Sequence, residues 1–215
     1  DVEGYDACRK IAILTSLAFG NTVKFEEVYT EGITKISNED FAYATELGCV
    51  IKLLATSYSK DGRVYAITAP FMIDGTHPLY NVNDVLNGIY VHGNVLGDVM
   101  FFGAGAGKLP TASAVVSDVV DCVKHKGKNV MTIWSSVKQE LGDTFDEERR
   151  FFVRVKGADT AAAEAAFGPG KVVNVAGVDG EFGYVTGIMS EKAFKDAADK
   201  VEVISRIRID DTKLQ

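Results

Sequence analysis

Cysteine is scarce and scattered: Cys8, Cys49 and Cys122 are the only three, with no C-x-x-C spacing. That pattern excludes a disulfide framework or a cysteine zinc site and fits a reducing, cytoplasmic setting. Histidine is equally thin, with His77, His92 and His125 far apart, so no metal centre is expected. Positive charge is in deficit. The formal net charge is −7, which argues against a nucleic-acid partner held by a broad basic face. The one basic cluster, Lys124-His125-Lys126 with Lys128, reads as a helix end, where cations suit the dipole. Long apolar runs are missing: "IAIL" and "AVVSDVV" are far too short to span a bilayer, so no membrane partner is expected. Neither a signal peptide, an internal repeat nor a low-complexity tract is visible. An initiator methionine is absent too. The chain opens on "DVEGYDACRK", in the middle of what reads as a motif, and a fragment of a longer protein is expected.

What remains is an ordinary globular composition, 47% hydrophobic and 25% charged over 215 residues, enough for one large or two small domains. Residues 4–19 carry apolar side chains at helical spacing. "VYTEGIT" reads as a loop, and "SNEDFAYATELG" as a helix with Ser37 or Asn38 at its N-cap and Gly48 as its stop. "CVIKLLATSY" and "RVYAITAPFM" predict a hairpin turning at Asp61-Gly62. "NGIYVHG" and "GDVMFFG" are two more strands, and "PTASAVVSDVVDCVKHKG" is a helix ending at Gly127. Residues 131–147 are polar and read as a linker. After them "RRFFVRVK" alternates, with Phe151, Val153 and Val155 on one face. A short helix, two strands around Asp179-Gly180, a helix capped by Ser190 and the strand "VEVISRIRI" complete a βαββαβ order, which is ferredoxin-like.

Two features carry chemistry. "FFGAGAGKLPTASA" has the look of a phosphate loop without its spacing. Gly103 to Gly107 is one residue too short for a P-loop, Leu109 stands where the magnesium-binding hydroxyl belongs, and a dinucleotide fingerprint would put its third glycine on Lys108. Two readings stay open: a tight strand-to-helix turn, or glycines that let a ligand or another domain approach closely. The second feature is Asp6 and Lys10, four positions apart on one helix face. Ile13 and Leu17 continue the same stripe, so the pair is expected to point inward, with Asp1 just upstream as a second carboxylate. A buried ion pair and a catalytic pair are both compatible with that placement.

Several blocks together resemble the homoserine dehydrogenase family: "DVEGYDACRKIAILTSLAFG", "VYTEGIT", "ATELGCVIKLLA", "NGIYVHGNVLGDVMFFGAGAG" and "LPTASAVVSDVVD", in the family's order over roughly residues 1–125. The resemblance implies reduction of aspartate semialdehyde to homoserine with NAD(P)H, on the route to threonine and methionine. It makes Lys10 the proton donor to the aldehyde oxygen and Asp6 and Asp1 substrate-binding carboxylates. It also implies that Gly107, and less directly Gly105 and Gly103, contact the cofactor, and that the protein forms a homodimer or higher homo-oligomer. The family's N-terminal Rossmann domain is not in the sequence, nor are its sodium site and a substrate-binding glutamate. The chain as given is therefore expected to lack NAD(P)H-dependent turnover.

The expected architecture is α+β: an open mixed or antiparallel sheet covered by helices in residues 1–130, with 103–127 packing against the missing nucleotide-binding domain. A ferredoxin-like domain in 148–215 resembles an ACT module, which implies an amino-acid effector such as threonine. "GADTAAAEAAFG" departs from the usual D-x-P-G of that module, which leaves an oligomerising role equally open. The competing functional reading is a non-catalytic amino-acid-sensing or oligomerising protein on the same scaffold. A P-loop-like nucleotide binder, which would need Lys108, is the third.

Overall fold

The computed structural model describes residues 1–131 and 134–210. The chain divides into two compact units, one of residues 1–74 and 133–215 and the other of residues 75–132.

In the first unit, helix α1 (Tyr5–Phe19) leads into the short strands β1 (Asn21–Thr22) and β2 (Tyr29–Thr30). Helix α2 (Asn38–Glu46) follows. The Asp40 carboxylate accepts from the Ser37 backbone N–H at 2.8 Å, and Gly48 takes the positive φ that ends the helix. Strands β3 (Cys49–Lys60) and β4 (Arg63–Asp74) pair antiparallel in unbroken register. Their two-residue turn puts Asp61 at φ 51° and Gly62 at φ 74°, the twist that suits a tight hairpin.

The second unit holds the antiparallel pair β5 (Leu86–Gly93) and β6 (Gly97–Ala104), then helix α3 (Lys108–Lys124). Leu79 and Val82 press on β5 so closely at Gly88 that a Cβ there would meet both. Helix α3 buries none of its residues; Leu109, Val115, Val116, Val119 and Val123 are all exposed.

The chain then returns to the first unit. Strand β7 (Ser135–Lys138) lies in the segment expected to be a linker and pairs with β1. Leu141 bridges to Val64, so the described part of 131–147 is built into the fold rather than strung between domains. Strand β8 (Glu148–Lys156), helix α4 (Thr160–Phe167), strands β9 (Lys171–Val173), β10 (Glu181–Val185) and β11 (Met189–Ser190), helix α5 (Glu191–Ala198) and strand β12 (Val203–Ile209) complete the chain. Residues 132–133 of the expected linker and 211–215 of the expected last domain lie outside the described residues. Within this segment the order β12-β8-β10-β9 is antiparallel throughout, the ferredoxin-like arrangement expected from βαββαβ. Both helices are capped by side chains: Asp159 accepts from Ala162 N–H at 3.0 Å and Ser190 from Ala193 N–H at 3.1 Å.

One sheet joins the early and late segments. Strand β3 occupies one edge of β4 along its whole length. On the other edge β2 pairs at Ile67–Thr68 and β12 pairs at Phe71–Met72, both parallel to β4. The expected separation into 1–130 and 148–215 therefore does not appear as two sheets.

Alternation explains why both faces of β8 are buried. Phe151, Val153 and Val155 face α4 and α5, with Phe167, Phe182 and Phe194. Phe152 points the other way, against Tyr43, Met72 and Ile207. Arg154, on the same face as Phe152, is buried too and is satisfied by Glu181, Asp40 and Ser37.

Candidate functional site

Helix α1 begins at Gly4, whose φ of 81° is the left-handed conformation that favours glycine. The position is tight as well: a Cβ would lie 3.2 Å from Thr30 and 3.3 Å from Thr68. The Gly4 N–H closes a turn onto the Asp1 carbonyl at 3.0 Å, and Cys8 N–H begins the helical ladder on the Gly4 carbonyl. Asp1 is thus in the turn that opens the helix carrying Asp6 and Lys10.

The structure brings Asp6 and Lys10 together, with Lys10 Nζ 2.7 Å from Asp6 Oδ2. It does not point them inward. Their side chains are 55% and 65% exposed, and Ile13 and Leu17 on the same stripe are exposed as well. The buried face is Cys8, Ile11, Ala12, Thr15 and Ser16. Two hydroxyls enter the core there because each is satisfied within the helix: Thr15 Oγ1 donates to the Ile11 carbonyl at 2.6 Å, and Ser16 Oγ to Ala12 at 2.8 Å. The stripe of Asp6, Lys10, Ile13 and Leu17, expected to face inward, is therefore the outer face of the helix. The hydrogen bond from Lys10 holds the Asp6 carboxyl below its usual range, so it is ionised at neutral pH. An anion holding a cation on an exposed face can present that cation to an incoming carbonyl oxygen.

The three glycines of the loop differ in their surroundings. Gly107 has φ 117° and caps α3, a conformation that side chains avoid. Since Pro110 has no N–H, and the Thr111 N–H bonds Gly107 O, the N–H groups of Lys108 and Leu109 have no helical partner. Gly105 is compact for a local reason, because a Cβ there would collide with the Asn87 carboxamide. Gly103 has open space around it. The three glycines and the Asp6–Lys10 pair belong to different units.

A second charged cluster escaped the sequence reading. Arg208 is 1% exposed and donates to both oxygens of Glu191 and, at 2.6 Å, to Glu31 Oε2. Arg206 spans the same two carboxylates at 3.0 Å each, and Tyr29 Oη adds a 3.2 Å hydrogen bond to Glu31. Burial opposes ionisation of Glu31, but Arg208 and then Arg206 and Tyr29 more than offset it and hold the carboxyl below its usual range. The sequence does carry a trace: "SRIRI" puts two arginines two positions apart, on one face of a strand. Among the described residues no group of three His, Cys, Asp or Glu side chains has a metal-binding arrangement, and no helix is long and apolar enough to cross a membrane.

The family model for homoserine dehydrogenase matches residues 1–120. A homoserine dehydrogenase of Synechocystis is 53% identical over 127 residues, which are 57% of this chain and 29% of that protein. One from Bacillus subtilis is 40% identical over 125 residues, 58% of this chain and 29% of that protein. Among solved structures, a homoserine dehydrogenase from Thiobacillus denitrificans matches with a TM-score of 0.83 at 28% identity, covering 98% of this chain and 54% of that one. The S. aureus homoserine dehydrogenase at pH 6.0 gives 0.75 at 32% identity, covering 98% and 54%. The chain thus spans about half the length of the solved structures it matches. The matched segment includes the turn at Asp1, the Asp6–Lys10 pair and the glycine loop. On this sequence match and this shared fold, the chain belongs to the homoserine dehydrogenase family.

Proposed function

We propose that this chain forms the substrate-binding, dimerising and regulatory part of an enzyme that reduces L-aspartate 4-semialdehyde to L-homoserine, in threonine and methionine biosynthesis. The observation that carries the proposal is the Asp6–Lys10 pair, held at 2.7 Å on an exposed face of the family's matched segment. NAD(P)H, when bound, supplies the hydride. Lys10 donates a proton from Nζ to the carbonyl oxygen as negative charge develops there, and its charge stabilises that oxygen beforehand. Asp6 binds substrate beside Lys10 and keeps Lys10 oriented, while Asp1 lies near the substrate's hydroxyl end. The exposed stripe of Asp6, Lys10, Ile13 and Leu17 is the face that the nucleotide-binding part covers in the complete protein. Covering it excludes water from the pair.

The glycine loop fits a flat group of the cofactor, because Gly107 needs its bare Cα and the N–H groups behind it have no helical partner. Gly107 is the principal contact, with Gly105 and Gly103 beside it, and residues 103–127 pack against the nucleotide-binding part. The apolar exposed face of α3 supports that placement. Residues 148–215 form an ACT-like domain, a reading supported by the β12-β8-β10-β9 order. It takes an amino acid such as threonine or serves assembly. Strand β3 leaves its outer edge unpaired among the described residues, and this edge favours pairing with a second copy in a homodimer. The cysteines, none in a disulfide, suit a cytoplasmic protein.

The test is homoserine-dependent reduction of NAD(P) by the full reading frame and by its Lys10→Ala variant. Turnover in the parent that collapses in a folded variant supports the enzyme and its central residue. An inactive parent with both cofactors overturns the chemistry and leaves the amino-acid-sensing reading, which threonine titration then addresses.

A further inference from the structure

The cluster of Glu31, Glu191, Arg206 and Arg208 links two places far apart in sequence. At one end are the last strand β12 and the start of α5, in the ferredoxin-like segment. At the other end is the loop that follows β2. Glu31 is the junction, since its Oε2 accepts from Arg208, Arg206 and Tyr29. Its backbone N–H is tied to Thr68 of β4 at 2.8 Å.

The next residues press on the turn that opens α1. Gly32 lies so close to Val2 and Glu3 that any Cβ would collide with their backbone, and Ile33 N–H donates to the Val2 carbonyl at 2.8 Å. Thr30, the last residue of β2, packs against Gly4. These contacts give a direct physical path from the Glu31 backbone to residues 2–4. Stability alone does not explain the charges. A buried ionic group is often no better than an apolar replacement, whereas arginine forks impose a defined orientation on a carboxylate.

We infer that Glu31 is a positioning residue: clamped by Arg206 and Arg208, it fixes the loop after β2 and thereby the Asp1–Gly4 turn, coupling the last strand of the ferredoxin-like segment to the substrate end of the site. The inference rests on the enzymatic reading above, and its residues all belong to one compact unit.

The experiment compares the full reading frame with Glu31→Gln, which keeps size and one acceptor but loses the charge. Two readouts are taken: steady-state kinetics and hydrogen exchange at the amides of residues 2–8. The expected result is a KM for homoserine raised about tenfold with kcat within about threefold, as for a displaced substrate contact. The KM for NAD(P) stays the same. Exchange at 2–8 accelerates while β8 and β10 keep their protection. A variant that only melts earlier, with KM and exchange at 2–8 unchanged, overturns the inference and leaves the enzymatic reading standing. If the parent does not oxidise homoserine, that reading falls, and the exchange result alone decides the coupling. Should Glu31→Gln fail to fold, Arg206→Gln is read instead, because it removes one of the two arginines on Glu31. The same rise in KM and faster exchange at 2–8 are then expected at smaller size, and their absence overturns the inference equally.

Discussion

Two charged clusters in this molecule use the same side-chain chemistry in opposite settings. Asp6 and Lys10 sit one turn apart on an exposed helix face, and each is more than half open to solvent. Glu31, Glu191, Arg206 and Arg208 come from three separate segments, and Arg208 and Glu191 at their centre are almost wholly buried. An exposed pair contributes little to folding, since water competes for both charges and salt screens them. It is free to meet a ligand. A buried cluster has no access to a ligand, and its charges persist only because each is met by several partners. The first arrangement suits chemistry and the second suits positioning.

The comparison breaks at its strongest point if the exposed pair proves idle. Lys10→Ala in the full reading frame is expected to lose about a thousandfold in kcat, the scale of a general acid. The melting temperature of the 215-residue chain should barely move on the same substitution, which calorimetry will check beside the initial rates. The buried cluster is expected to behave the other way. Glu191→Ala leaves Arg208 in the interior without its main partner and should cost about 3–5 kcal/mol in urea denaturation. Gly4→Ala probes the turn between the two clusters. It puts a side chain at φ 81° against Thr30 and Thr68, and should cost about 1–3 kcal/mol by the same measurement.

Acid sharpens the contrast further. A carboxyl whose folded value is depressed contributes stability above its unfolded value and loses it as pH falls through the folded value. Glu31 is depressed in this way by Arg208, Arg206 and Tyr29 against the opposing effect of burial. Stability measured by denaturant titration should therefore be flat near neutrality and fall on the acid side of the ordinary glutamate range. The fall should be shallower in Glu31→Gln. The smallest effect is expected at Asp6→Ala, where loss of a solvent-exposed i,i+4 pair should change stability by no more than about 0.5 kcal/mol. That figure holds for the 215-residue chain by itself; in the full reading frame, where the nucleotide-binding part covers the face, a larger loss is expected.

Local chemistry was legible in advance where one residue type dictates one geometry. Asp61-Gly62 marked the tight turn of β3 and β4, and Ser37 or Asn38 the start of α2, where Ser37 is the cap. Ser190 capped α5 as expected, and the βαββαβ order gave the antiparallel β12-β8-β10-β9 arrangement. The Asp6–Lys10 contact followed from helical spacing alone. The inward direction of that pair did not hold, because Thr15 and Ser16 hide their hydroxyls on the helix's own carbonyls and so behave as core residues. Spacing reports which residues share a face; it does not report which face is buried when small polar residues can satisfy themselves.

The sequence by itself determined the local elements, the family and the candidate residues, since these depend on neighbours a few positions away and on blocks in a set order. Only the tertiary structure decided that β12 would take the edge of β4 next to β2, that 135–138 would be a strand on β1, and that Arg208 would meet Glu31. Those contacts join residues separated by more than a hundred positions. Their partners are selected by packing and by the need to satisfy buried charge, and neither leaves a periodic trace along the chain.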